Sequence, residues 1–208
     1  MLKFEDAARK SGYSTIIGVD EAGRGPLAGP VVVGAVRLKS FNFQARIDDS
    51  KKLSSRQRQA AFLEIVEKAD YGVGVINEWV IDQINIANAV KCALDRAVER
   101  LIARCVSDHC SLKDTFLLMD GSLRSGLPCA SKTIIGGDGL SLSIACASIV
   151  AKVIRDRIMD IYHCVYPAYG FSSHKGYGTK THMDSIYQCG FSPIHRRTFY
   201  HGGLARED

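Results

Sequence analysis

The chain has 208 residues, 46% of them hydrophobic and 24% charged, with a formal net charge of +5. That length suits one domain, expected over residues 1–208, and its longest apolar stretch, residues 143–154, is broken by Lys152 and falls short of the roughly 20 apolar residues of a membrane span. Glu5 and Asp6 stand where a secretory leader would be basic, so the expected location is cytoplasmic, with no membrane partner.

Two β-branched runs, at 16–19 and 31–36, are joined by the glycine- and proline-rich segment 23–30, which predicts adjacent strands in a hairpin. After the polar loop 48–52, Ser54 and Gln57 have the spacing of a capping box, and Phe62, Ile65, Val66 and Ala69 recur at helical intervals. Residues 71–76 return as a strand. Val90, Leu94, Ala97, Leu101 and Cys105 predict a longer helix, and residues 116–119 a strand too apolar to have a wet face. A shorter strand at 132–135 leads into a loop at 136–139, and Ala147, Val150, Ile154, Ile158, Ile161 and Val165 mark the strongest helix. Two early strands followed by strands alternating with helices predict an α/β fold, a mixed sheet covered by helices.

The seven cysteines contain no C-x-x-C pair, which argues against a zinc site or a disulfide framework; Cys92, Cys105 and Cys146 are expected on apolar helix faces. Between residues 161 and 200 Asp184 is the only acid, against Lys175, Lys180, Arg196 and Arg197, with four histidines and six tyrosines interleaved. Such a stretch reads equally as a surface that neutralises phosphates and stacks on sugars or bases, or as a solvated C-terminal face.

Three acids stand where core physics would not place them. Asp20 and Glu21 interrupt the end of the first apolar strand, and Asp120 ends the strand after four large hydrophobes. A carboxylate at the tip of a buried strand is partly desolvated, which is costly unless a cation or several donors compensate. Asp138, between glycines, lies on a backbone free to approach a neighbour closely. Together the four make an all-oxygen site suited to Mg²⁺ or Mn²⁺, and paired ions in such a site activate water and stabilise the departing oxygen of a phosphodiester. Consecutive strand residues face opposite ways, so Asp20 and Glu21 share a site only if the strand bends or ends there, which Gly23 and Gly25 would permit. Residues 18–25 mimic the glycine spacing of a phosphate-binding P-loop, but Arg24 and Gly25 replace its lysine and hydroxyl residue. A Gly-Arg-Gly segment can still bring backbone amides and carbonyls to a sugar, with a guanidinium for phosphate.

Five ordered blocks closely resemble the signature of bacterial ribonuclease HII: Asp20-Glu21-Ala22-Gly23-Arg24-Gly25-Pro26-Leu27-Ala28-Gly29-Pro30, Asp49-Ser50-Lys51-Lys52-Leu53, Met119-Asp120-Gly121, Ala147-Ser148-Ile149-Val150-Ala151-Lys152-Val153 with Arg155-Asp156, and His174-Lys175-Gly176-Tyr177-Gly178-Thr179. The resemblance implies a ribonuclease H-like fold, a five-stranded mixed sheet flanked by helices, with a C-terminal helical substrate-binding portion from about residue 160. It implies endonucleolytic hydrolysis of RNA in RNA–DNA hybrids and incision 5′ to ribonucleotides embedded in duplex DNA, leaving 3′-hydroxyl and 5′-phosphate ends. It also implies Asp20, Glu21, Asp120 and Asp138 as ligands of Mn²⁺ or Mg²⁺, Gly23, Arg24 and Gly25 as the sensor of the ribose 2′-hydroxyl, and Tyr177 as the ring packed against the sugar. Ser50, Lys51, Lys52 and Lys175 are then candidate phosphate contacts. Residues 147–156 are expected to be structural, with Asp156 a local ion-pair partner, and nothing demands more than a monomer. A non-catalytic module binding the same hybrids would have no use for four clustered acids, which repel a phosphate backbone.

Overall fold

In the computed structural model, which describes residues 1–105 and 110–200, five strands form one mixed sheet in the order β3-β2-β1-β4-β5. β1 (Thr15–Ala22) and β2 (Val31–Leu38) pair antiparallel as the expected hairpin, and β3 (Ala69–Ile76) adds antiparallel to β2. β4 (Thr115–Asp120) runs parallel to β1, and β5 (Ala130–Ile134) parallel to β4.

The first six residues of both β1 and β2 are buried, as a sheet covered on both faces requires. Ile17, Val19, Leu117 and Met119 pack toward α3 (Glu78–Arg104). The alternate residues Ile16, Leu118 and Val36 meet α4 (Leu142–Val165) and its neighbour α2 (Ser55–Lys68) on the opposite face. The capping box forms as expected: the Ser54 hydroxyl accepts from Gln57 N at 3.2 Å, and the Gln57 side chain accepts from Ser54 N at 2.8 Å. Small residues let the layers close, since a Cβ at Gly34 would lie 2.5 Å from the carbonyl oxygen of Ala147.

Three features depart from the sequence reading. A helix α1 (Lys3–Lys10), too short for its periodicity to register, is fastened by buried Glu5, whose carboxylate accepts from Ser141 Oγ, Ser143 N and Ser143 Oγ at the start of α4. α3 begins well before Val90 and carries a break at Asn85 (φ 64°, ψ 164°) that obscures its pattern. Cys92 is exposed rather than on an apolar face, whereas Cys105 and Cys146 are buried and burial raises both thiol pKa values, that of Cys105 to about 12.

The C-terminal part, with α5 (Phe171–His174) and α6 (Lys180–Cys189), departs in part from both readings of its composition: Tyr177, Lys180, Tyr187 and Arg197 are exposed, but much of the rest is core. Tyr169, Phe171, His174, His182, His195 and Arg196 are buried, with Tyr169 and Phe171 stacked at 5.4 Å. Its histidines form a directed chain. Ser192 N–H donates to His195 Nδ1 at 2.9 Å, so Nε2 of that ring carries the proton and donates to His182 Nε2 at 3.0 Å; His182 Nδ1 then donates to the Tyr177 carbonyl at 2.9 Å. His174 accepts from Gly176 N through Nδ1 and donates through Nε2 to the Tyr169 carbonyl. Burial lowers the pKa of both His182 and His195 to about 4, each penalised further by a neighbouring histidine.

Candidate active site

Parallel pairing sets the site. Val19 and Met119 are register partners, so the next residues, Asp20 near the end of β1 and Asp120 at the end of β4, stand at the same height on adjacent strands. Asp120 pairs with Ile134 on β5, whose continuation turns through Gly136 (φ 65°) into the single turn Gly137–Gly139 and brings Asp138 back over the strand ends. Asp20, Asp120 and Asp138 each place one oxygen within 4.8 Å of the others. Asp120 is held by Gly137 N–H at 2.6 Å, and Asp20 by the N–H of Glu21 at 2.7 Å.

The electrostatics of this cluster are unbalanced. Burial, then repulsion from Glu21 and Asp120, drives Asp20 well above the ordinary carboxylate range, against the hydrogen bonds from Ser148 and Glu21 N that favour its charge. Burial also raises Asp138, with Asp49 and Asp120 adding to it, and raises Glu21 despite Arg24. The cation nearest Asp138, Lys51 Nζ, stands 3.7 Å away on a side chain that is 77% exposed. Clustered carboxylate oxygens without sulfur or imidazole, carrying more negative charge than their surroundings offset, fit a hard divalent cation. Glu21 lies outside the three-acid set; its carboxylate is 3.6 Å from Arg24, although it lines the same pocket.

That pocket, about 260 Å³, is walled by Asp20, Glu21 and Asp120 on one side and by residues 22–25, Lys152, Arg155 and Tyr177 on the other. Gly23 has φ +92°, and a Cβ there would overlap the buried Arg155 side chain, so glycine is required. A Cβ at Gly25, in contrast, would meet nothing within 4 Å. The Tyr177 ring is 46% exposed and lies 5.9 Å from the Arg155 guanidinium.

The model of the family described as Ribonuclease HII matches residues 17–201. The chain belongs to the ribonuclease HII family. It is 50% identical over 197 residues to a ribonuclease HII of Syntrophus aciditrophicus (strain SB), covering 94% of this chain and 89% of the relative. The fold agrees with the ribonuclease HII of the PCNA complex from Archaeoglobus fulgidus (TM-score 0.68, 21% identity, 92% of this chain and 98% of that one). It agrees as well with Bst-RNase HIII solved with Mn²⁺ (TM-score 0.59, 20% identity, 76% of this chain and 57% of that one). As a ribonuclease HII family member the chain is a ribonuclease H, an endonuclease of RNA–DNA hybrids, in a family that uses divalent metals. Among the described residues no helix is long and apolar enough to cross a membrane.

The remaining candidates of this ribonuclease HII chain are spread unevenly. Ser50 is buried at the pocket's lining, its hydroxyl hydrogen-bonded with that of Ser148 at 2.9 Å, and Ser148 in turn bonds Asp20. Lys51 borders the acids, Lys52 sits 3.5 Å from Asp48, and Lys175 is paired with Asp160. Asp156 pairs with Lys152 at 2.7 Å, the local role expected of it. Sequence reasoning passed over Arg155 and Arg196, both fully buried. Arg155 donates to the carbonyls of Pro30 and Ala28, and Arg196 to those of Gly29, Arg24 and Gly23. Nothing in composition separates such arginines from surface ones; Arg155 stands inside a signature block, whereas Arg196 lies beyond the last of them.

Proposed function

We propose that this ribonuclease H cleaves RNA in RNA–DNA hybrids and incises 5′ to ribonucleotides embedded in duplex DNA, leaving 3′-hydroxyl and 5′-phosphate ends. Asp20, Asp120 and Asp138 would hold divalent cations, Mg²⁺ or Mn²⁺, with Glu21 completing the set from the pocket wall. The observation that carries this reading is the meeting of three carboxylates from β1, β4 and the turn after β5 within 4.8 Å. Bound as a pair, such cations supply a water of lowered pKa and neutralise charge developing on the leaving oxygen.

The chain's own groups do the rest. Asp20 and Asp120 are fixed by strand pairing, so their separation needs no ordering on binding. The N–H groups of Arg24 and Gly25 find no acceptor among the described residues and border the pocket. They are suited to the 2′-oxygen, the one group that distinguishes ribose from deoxyribose at a given position. Tyr177 offers a flat face for the sugar, as the substrate-facing part of the region from about residue 160. Lys51 is placed to meet a phosphate close to the acids, and Lys52 lies in the same turn. Lys175 would reach a phosphate only on leaving Asp160.

The test is cleavage of a DNA duplex carrying one ribonucleotide, beside an all-DNA control, with ends mapped in Mg²⁺ and in Mn²⁺. The expected product is a nick 5′ to the ribonucleotide with a 3′-hydroxyl. A ribonucleotide duplex left intact in both metals refutes the reading.

A further inference from the structure

Arg196 presents a physical problem that the proposed chemistry leaves unsolved. Its side chain is 1% exposed, and among the described residues no carboxylate lies within ion-pair distance. Burial first, then repulsion from Arg155, lowers its pKa to about 9, against the weaker attraction of Glu78 and Asp82. A buried cation with no carboxylate in contact is costly and persists where its hydrogen bonds are needed. All three side-chain bonds go to one segment: Nε to the Gly29 carbonyl at 2.9 Å, Nη1 to Arg24 at 3.1 Å and Nη2 to Gly23 at 2.7 Å, while its own N–H reaches the Leu27 carbonyl at 2.8 Å.

The consequence follows from peptide geometry. In a trans peptide the C=O and the N–H of the next residue point in opposite directions, and the described chain has no cis bonds. Drawing the Gly23 and Arg24 carbonyls inward onto one guanidinium therefore turns the N–H groups of Arg24 and Gly25 outward, to the side that lines the pocket. Those two N–H groups have no acceptor among the described residues. Gly25 borders space that a Cβ would enter without contact.

We propose that Arg196 is the positioning residue for ribose selection: its fork fixes the peptide units whose Arg24 and Gly25 N–H groups meet the 2′-oxygen. This rests on the functional reading above and adds to it a residue remote from the acids. A fork is required, because a single ammonium lacks the planar spread to hold three carbonyls.

The test compares binding of two DNA duplexes that differ by one ribose, in an Asp120→Asn background so that the substrate stays intact. The Asp120→Asn parent should prefer the ribose duplex by about tenfold, the scale of one or two hydrogen bonds. Arg196→Gln and Arg196→Lys should bring that preference within about twofold while affinity for the all-DNA duplex stays within about threefold. A purely structural role would weaken both duplexes together, and that result, or a preference retained by both variants, overturns the proposal. Thermal unfolding accompanies each variant. Should both variants fail to fold, amide exchange on the Asp120→Asn parent decides: the Arg24 and Gly25 amides should exchange fast when free and slow with the ribose duplex only. Equal protection by both duplexes overturns the proposal too. A parent without ribose preference overturns the functional reading itself, and the inference with it.

Discussion

The acid pocket and the C-terminal histidine core are both buried and polar, and they treat their polar groups in opposite ways. In the histidine core Ser192, His195, His182 and the Tyr177 carbonyl form a closed run of donors and acceptors, and both nitrogens of His174 are paired as well. At the active site three carboxylates crowd together, and among the described residues two backbone N–H groups lack acceptors and Arg155 Nη1 is buried without a partner. Polar groups satisfied internally act as scaffold; those left wanting define where a ligand completes the structure.

Breaking the comparison at its strongest point means neutralising an acid. Asp120→Asn removes charge with little change of volume and should lower turnover about 1,000-fold or more while hybrid binding persists, read by single-turnover cleavage and by anisotropy. Near-normal cleavage would remove Asp120 from the chemistry.

Gly25→Ala sharpens the contrast, because the protein has room for the methyl group. Cleavage of a single-ribonucleotide duplex should fall about 100-fold with the melting temperature unchanged, since the methyl occupies space meant for the sugar. A loss of stability instead would show that the space belongs to the protein.

The scaffold should respond in the reverse sense. His182→Ala leaves the Tyr177 carbonyl and His195 unpaired in the interior, for a loss of about 2–4 kcal/mol by denaturant titration. Acid should do this gradually in the unmutated chain. His182 and His195 titrate near 4 in the folded protein, below the histidine value of about 6.5 in an unfolded chain. Their contribution is therefore complete above about pH 6.5 and declines as pH falls toward 4, because the unfolded chain binds the protons first.

The smallest effect has the opposite sign. The raised Asp20 pKa means that its ionised form costs folding energy, a penalty absent below the unfolded value of about 4 and fully present once pH has passed the folded value. Asp20→Asn should stabilise the metal-free protein at neutral pH by about 1–2 kcal/mol while abolishing activity, read by calorimetry with a chelator present. Destabilisation would mean that local hydrogen bonds already offset the crowding.

These contrasts mark what the sequence could disclose. Strand-end acids were legible because a charge closing an apolar run is conspicuous, and the hairpin and the capping box were legible because each is written within a few neighbouring residues; the α4 stripe held only through its first half, since Ile161 and Val165 are exposed. Glu21 showed the limit: alternation raised the question of whether it shares a site with Asp20, and only the structure answers it, with Glu21 lining the same pocket beside Arg24 but outside the three-acid set. The histidine core was misread because His182 and His195 reveal their burial only when α6 folds back, and Arg196 looked like surface charge until the 23–30 loop supplied its partners. α1 was too short, and the Asn85 break too local, for a periodic pattern to register.

The pairing of β1 with β4 joins residues a hundred positions apart, and of the groups that fasten the 23–30 loop, Arg155, Gly176, Ile194 and Arg196, the last in the chain is Arg196. A chain emerging from the ribosome thus cannot assemble both acids and sugar cradle until that arginine has been made. Synthesis order acts as a safety catch on a nuclease born among RNA.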